Sequence, residues 1–116
     1  METGLARPTA FSPNLYYMFH NADHVQGMGF EVFAAKLYSE AAEEASRLFH
    51  ETPITEMTAR TRRGRADFGI LAVWGHVKAG NIDAAVDFMQ GFLADPHVPE
   101  ASREKAMQIV RPNPEI

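Results

Sequence analysis

The chain contains no cysteine. This excludes disulfides, cysteine-bound zinc, iron–sulfur clusters and thiol nucleophiles together. It also lacks any apolar run near the roughly 20 residues that a membrane helix needs; the longest, Phe68 to Gly75, is far shorter. Residues 1–13 hold one arginine and two prolines but no apolar stretch of the signal-peptide kind, so no targeting segment is expected. There is no glycine-rich phosphate loop and no serine in a nucleophile elbow. Ser12, Ser39, Ser46 and Ser102 have no recognisable catalytic partner, and the chain reads as a non-enzyme. A strong charge bias is missing too. Eleven basic against fifteen acidic side chains leave a net charge of −4, which argues against a general polyanion binder but leaves room for a local basic patch. A soluble, cytoplasmic protein is the expectation.

What remains is ordinary globular material. The 116 residues, 46% hydrophobic and 22% charged, suffice for one core and not for two. The periodicities predict an all-α fold of about five helices, forming a small bundle or two stacked helical hairpins over residues 13–111. Residues 1–12 and 112–116 are expected to be flexible. Ser12-Pro13 is a helix start, with Leu15, Phe19 and Ala22 at helical spacing, and Gly27 and Gly29 a stop. A second helix carries a long apolar stripe from Phe30 and Phe33 through Leu37, Ala41 and Ala45 to Phe49. Its opposite face offers Lys36/Glu40 and Glu43/Arg47 as i,i+4 pairs. The signal then weakens from Thr55 to Arg65, where Thr55 could cap a short turn carrying Met57. A third helix, Ala66 to Ala79, is apolar nearly all round and therefore expected at the centre. Asn81 caps a fourth, with Ile82, Ala85, Val86, Met89 and Leu93 facing inward and Asp95-Pro96 ending it. A fifth starts near Pro99.

Tyr38 to Pro53 and Asn81 to Pro96 share an Ala-Ala pair, a phenylalanine (Phe49, Phe92) and the closing proline at an offset of 43 residues. Gly80-Asn81-Ile82-Asp83, Ala85 and Asp95-Pro96 make Leu71 to Pro96 resemble a tetratricopeptide-like helical hairpin. The resemblance covers under a quarter of the chain, its proline falls one residue early, and the 43-residue period exceeds that family's 34. It implies a scaffold that binds peptides or partner proteins and assigns no particular binding residue.

Arg60, Arg62, Arg63 and Arg65 are the most unusual local feature. Guanidiniums fork onto carboxylates or phosphates, and Gly64 between them would allow a close approach or a sharp bend. An acidic surface on a larger protein is the leading partner. A nucleic-acid backbone is the alternative, weakened by the absence of interleaved aromatic residues for base stacking. The plain alternative is a solvated loop whose arginines pair with nearby glutamates. Tyr16 and Tyr17 are interface-type residues, and exposed apolar groups on the first helix could seal a homodimer. Trp74 lies in an apolar run and reads as core. His20 and His24 stand four apart on one helix face, as a two-ligand metal half-site requires, and His50, His76 or a glutamate could supply a third ligand, so a His-based metal-binding helical protein is a further alternative; with two histidines alone, no metal and no cofactor are assigned. Glu40, Glu43, Glu44 and Glu51 read as a charged helix face rather than an acid–base pair. The leading function is therefore a non-enzymatic protein-binding module: an adaptor, chaperone or inhibitor.

Overall fold

A computed structural model describes residues 12–52 and 58–111. They form α1 (Pro13–Gly27), α2 (Glu31–Glu51), α3 (Ala59–Lys78), α4 (Ile82–Ala94) and α5 (Glu100–Val110), and there is no strand among the described residues. The all-α expectation holds. Ser12 belongs to the first helix as its cap, while the turn expected at Thr55 and Met57 and the segments 1–11 and 112–116 lie outside the described residues. No helix among the described residues is long and apolar enough to cross a membrane.

The helix ends follow from local chemistry. Ser12 Oγ accepts the Leu15 N–H at 3.2 Å, and Pro13 fills the first turn. The α1–α2 and α3–α4 connections share one design. Gly29 and Gly80 adopt φ of 90° and 78°, where a side chain is disfavoured. The N–H of the following residue returns to the carbonyl five residues back, Phe30 to Val25 at 3.3 Å and Asn81 to His76 at 2.8 Å. Each glycine N–H bonds the carbonyl three back. These are Schellman turns, and the residue that closes each one is also the N-cap of the next helix. Neither Phe30 nor Asn81 makes a side-chain capping bond, so the turn rather than the cap sets where α2 and α4 begin.

One boundary differs from the sequence reading. α3 starts at Ala59, not Ala66, because Thr58 and Thr61 form a capping box: Thr61 N–H to Thr58 Oγ1 at 3.2 Å and Thr58 N–H to Thr61 Oγ1 at 2.9 Å. The basic stretch is thus the opening of a helix rather than a loop. Gly64 is buried inside it and does not bend the chain.

α3 is central as expected, packed against α2, α4 and α5, while α1 covers α2. α2 and α3 run antiparallel, with Tyr38 meeting Trp74 and Phe49 meeting Arg65, and α4 folds back along α3 so that Gly69 faces Phe92. Small residues make this closeness possible. Ala41, Ala42 and Ala45 of α2 are fully buried, as are Ala66 and Ala72 of α3. A Cβ on Gly75 would stand 2.9 Å from Ala42 Cβ, and one on Gly69 would stand 2.3 Å from the Phe92 ring. Phe49 and Phe92, the phenylalanines of the two similar segments, meet at 5.4 Å beside Gly69.

The stripes are narrower than their apolar residues suggested. On α2 the buried arc runs through Ala34, Tyr38, Ala41, Ala45 and Phe49, whereas Phe30 and Phe33 are more than half exposed. On α4 it runs through Ala85, Met89 and Phe92, leaving Ile82 and Val86 exposed. At about 100° per residue, Phe33 lies about 80° and Val86 about 60° outside the covered arc. Leu37, Leu93 and Trp74 are partly buried against the core. The expected Lys36/Glu40 and Glu43/Arg47 pairs give way to Arg47 bridging Glu44 and Glu51, both at 2.6 Å. These pairs are exposed and contribute a few tenths of a kcal/mol.

Gly69→Ala is expected to destabilise the fold by about 1–3 kcal/mol, since its methyl must displace the buried Phe92 ring. Gly91→Ala, on an open face of α4 with nothing near its Cβ, should stabilise by about 0.5–1 kcal/mol. Urea unfolding of the two variants checks both signs.

Candidate functional site

The arginine cluster is divided by the helix it opens. Arg60, Arg62 and Arg63 are exposed in the first turns of α3. Their side chains make no ion pair or hydrogen bond among the described residues, and no acidic residue occupies that first turn. The helix macrodipole already makes this end positive, so three cations there repel both one another and the aligned N–H groups. This is a concentrated anion-attracting surface, held in place by the Thr58 capping box.

Arg65 is not part of that surface. It is only 6% exposed and points into the bundle. Its Nη2 donates to Asp95 Oδ2 at 2.7 Å, its Nε donates to the Phe49 carbonyl at 3.1 Å, and its guanidinium lies 3.9 Å from the Phe49 ring centroid. Asp95 Oδ1 accepts the His97 N–H at 2.8 Å, and the Asp95 carbonyl accepts from Arg103 Nη2 at 2.9 Å. One residue of the expected docking set is therefore a structural clamp joining α2, α3, α4 and α5. Burial pushes the Asp95 carboxyl up, but Arg65 and the His97 N–H outweigh it and hold the group below the usual range.

The tyrosines are exposed on α1, at 44% for Tyr16 and 62% for Tyr17. They do not join the arginines. Phe19 packs at Gly75 of α3, which places the tyrosines roughly 15–20 Å along the bundle from Arg60. Tyr16 stacks on His20, with ring centroids 6.1 Å apart. His24 is exposed in the last turn of α1, where a cation suits the negative helix end. No three His, Asp or Glu side chains among the described residues converge on a point that could hold a metal. Glu40 and Glu43 are exposed, and Glu44, held below its usual pKa chiefly by the hydrogen bond from Arg47, is committed to that pair.

Two features were not picked out from the sequence. Tyr38 is fully buried, and its hydroxyl donates to Asp23 and lies 3.2 Å from Gln26 Oε1. Lys78 donates to the same Gln26 oxygen at 3.1 Å. Burial, then the Asp23 hydrogen bond and charge, raise the Tyr38 phenol far above its ordinary value. The second feature is a bare apolar end. Met28, Phe30, Val32 and Phe33 are 53–88% exposed around the α1–α2 turn. The chain matches no family model, no curated protein and no solved structure.

Arg65→Leu is expected to cost about 2–4 kcal/mol, because Asp95 would lose its partner at a mostly buried site. Asp95→Leu should cost a similar amount, and the double variant clearly less than the sum. Urea denaturation of the full cycle measures this coupling. His76 is buried, its Nδ1 unpartnered among the described residues, and burial lowers its pKa against a smaller opposing pull from Glu43. The unfolded chain then takes up this proton more readily than the folded one. Stability contributed by the neutral ring is present above the ordinary imidazole value of about 6.5 and is lost as pH falls through it toward the lower folded value. The melting temperature should drop over that interval, and His76→Gln should flatten the drop.

Proposed function

We propose that this protein is a non-enzymatic binding module that docks on an acidic surface of a larger protein through Arg60, Arg62 and Arg63. The observation that carries this reading is the placement of three exposed guanidiniums, unpaired among the described residues, at the positive end of a helix anchored in the bundle. Carboxylates on a partner receive forked hydrogen bonds from side chains whose mutual repulsion they relieve. Because Arg65 clamps the next turn of α3, the three guanidiniums rise from a backbone that does not need to be ordered on binding. An acidic protein is favoured over nucleic acid because no aromatic side chain is interleaved with these arginines to stack on a base. The weak resemblance of residues 71–96 to a tetratricopeptide-like hairpin points the same way, toward a partner-binding scaffold.

The test is binding of the intact protein to an immobilised polyglutamate peptide and, in parallel, to a DNA duplex of mixed sequence at 50 and 200 mM salt. The wild type should retain the acidic peptide, and Arg60→Glu/Arg62→Glu/Arg63→Glu should lose at least tenfold in affinity. The melting temperature should hold or rise, since acids suit that helix end. Unchanged peptide affinity in the triple variant removes the arginines from the site. Tighter binding to the duplex, with a steep linear loss of log affinity against log salt, replaces the acidic-protein reading with backbone recognition.

A further inference from the structure

The end of the bundle opposite the arginines carries a surface of different chemistry. Lys78, at the far end of α3 from Arg60, bonds Gln26 in the last turn of α1, so the α1–α2 turn lies about 25 Å from the cationic end. Four apolar side chains are bare there: Met28 at 55%, Phe30 at 56%, Val32 at 88% and Phe33 at 53%. The backbone beneath them is fixed by the Schellman turn at Gly29 and by the Phe30 N–H bond to Val25, so they form a preset surface rather than a collapsible loop. Phe30, Val32 and Phe33 line an open hollow of about 540 Å³ with two charged residues, Glu31 and Lys36. These two carry opposite signs, and neither makes an ion pair among the described residues.

We infer that this apolar end is the contact face of a two-fold symmetric homodimer, formed by the first turns of α2 from two copies of the chain. The charges identify the occupant. In an isologous contact residue i meets j while j meets i. A single acid and a single base on the rim of one apolar patch are thereby satisfied twice, Glu31 by Lys36 of the second copy and Lys36 by its Glu31. A partner of one dominant charge would satisfy only one of them. The area sets the size class of the contact. The four side chains offer on the order of 400–500 Å² per copy, which with the charged rim reaches the lower bound of specific interfaces, roughly 1,200 Å² in total. An interface at this low end of the size range suits a reversible dimer that dissociates in the micromolar range. It would leave the two sets of Arg60, Arg62 and Arg63 at its outer ends. The inference does not depend on the function proposed for those arginines.

Sedimentation velocity of the full chain from about 1 to 500 μM tests it. The wild type should pass from monomer to dimer across this range. Val32→Glu and Phe33→Glu, both at exposed positions, should raise the dissociation constant at least tenfold while circular dichroism stays unchanged. Glu31→Lys and Lys36→Glu should each weaken the dimer several-fold, and the exchange Glu31→Lys/Lys36→Glu should restore it to within about threefold of wild type. The inference is overturned by a monomer throughout the range, by a dimer indifferent to both Val32→Glu and Phe33→Glu, or by a charge exchange that fails to rescue. A persistent monomer would leave the face to a different protein.

Discussion

The bundle depends on a buried ion pair at the point where four helices meet. Arg65 enters from α3, takes the Phe49 carbonyl near the end of α2, lies over the Phe49 ring and closes on Asp95 at the end of α4. Asp95 then uses its second carboxylate oxygen on His97 and its carbonyl on Arg103, fixing the approach to α5. A buried charge pair is weak as a source of net stability but strong as a specification of geometry when its remaining hydrogen-bonding capacity is met. Here most of it is met. The helix ends that the pair joins would otherwise present carbonyls and peptide N–H groups with no partner.

Close packing makes that geometry reachable. Alanines on α2 and glycines on α3 bring the two backbones together, and the aromatic rings fill what remains: Phe49, Phe88 and Phe92 toward the Arg65 end, Phe19, Tyr38 and Trp74 toward the other. The two ends therefore differ in kind. One pairs an aromatic cluster with a charge clamp and surfaces as three bare cations. The other pairs an aromatic cluster with the hydrogen-bond network of the Tyr38 hydroxyl, Asp23, Gln26 and Lys78, and surfaces as bare apolar side chains.

Much of this was legible in the residue order. Ser12-Pro13, the glycines at 29 and 80, and Asp95-Pro96 marked helix boundaries because capping and backbone freedom are local properties. The central place of α3 was legible because its apolar residues, from Ala66 on, cover most of its circumference. The start of α3 was not, since a Thr58–Thr61 capping box gives a weaker signal than the charges and glycine that follow it. Arg65 could not be told from its neighbours, because what separates them is a partner 30 residues away. The exposure of Phe30, Phe33, Ile82 and Val86 was hidden for a related reason: periodicity shows which side of a helix is apolar, not how much of that side a neighbour covers. A stripe wider than its covered arc is itself information, and here the excess lies at the helix starts nearest the two Schellman turns.

The single tryptophan gives the molecule an optical asymmetry. Trp74 lies 5.5 Å from the Phe19 ring and 5.6 Å from the Tyr38 ring, with the Lys78 ammonium 5.5 Å from its own ring. Its emission therefore reports where α1 and α2 seat on α3. About 13 Å separates it along α3 from Arg65, so it is a poor witness to events at α4 and α5. Amide circular dichroism weights all five helices. Comparing the two signals through one denaturant titration separates loss of the α1–α2 half from loss of the α4–α5 half without introducing any probe.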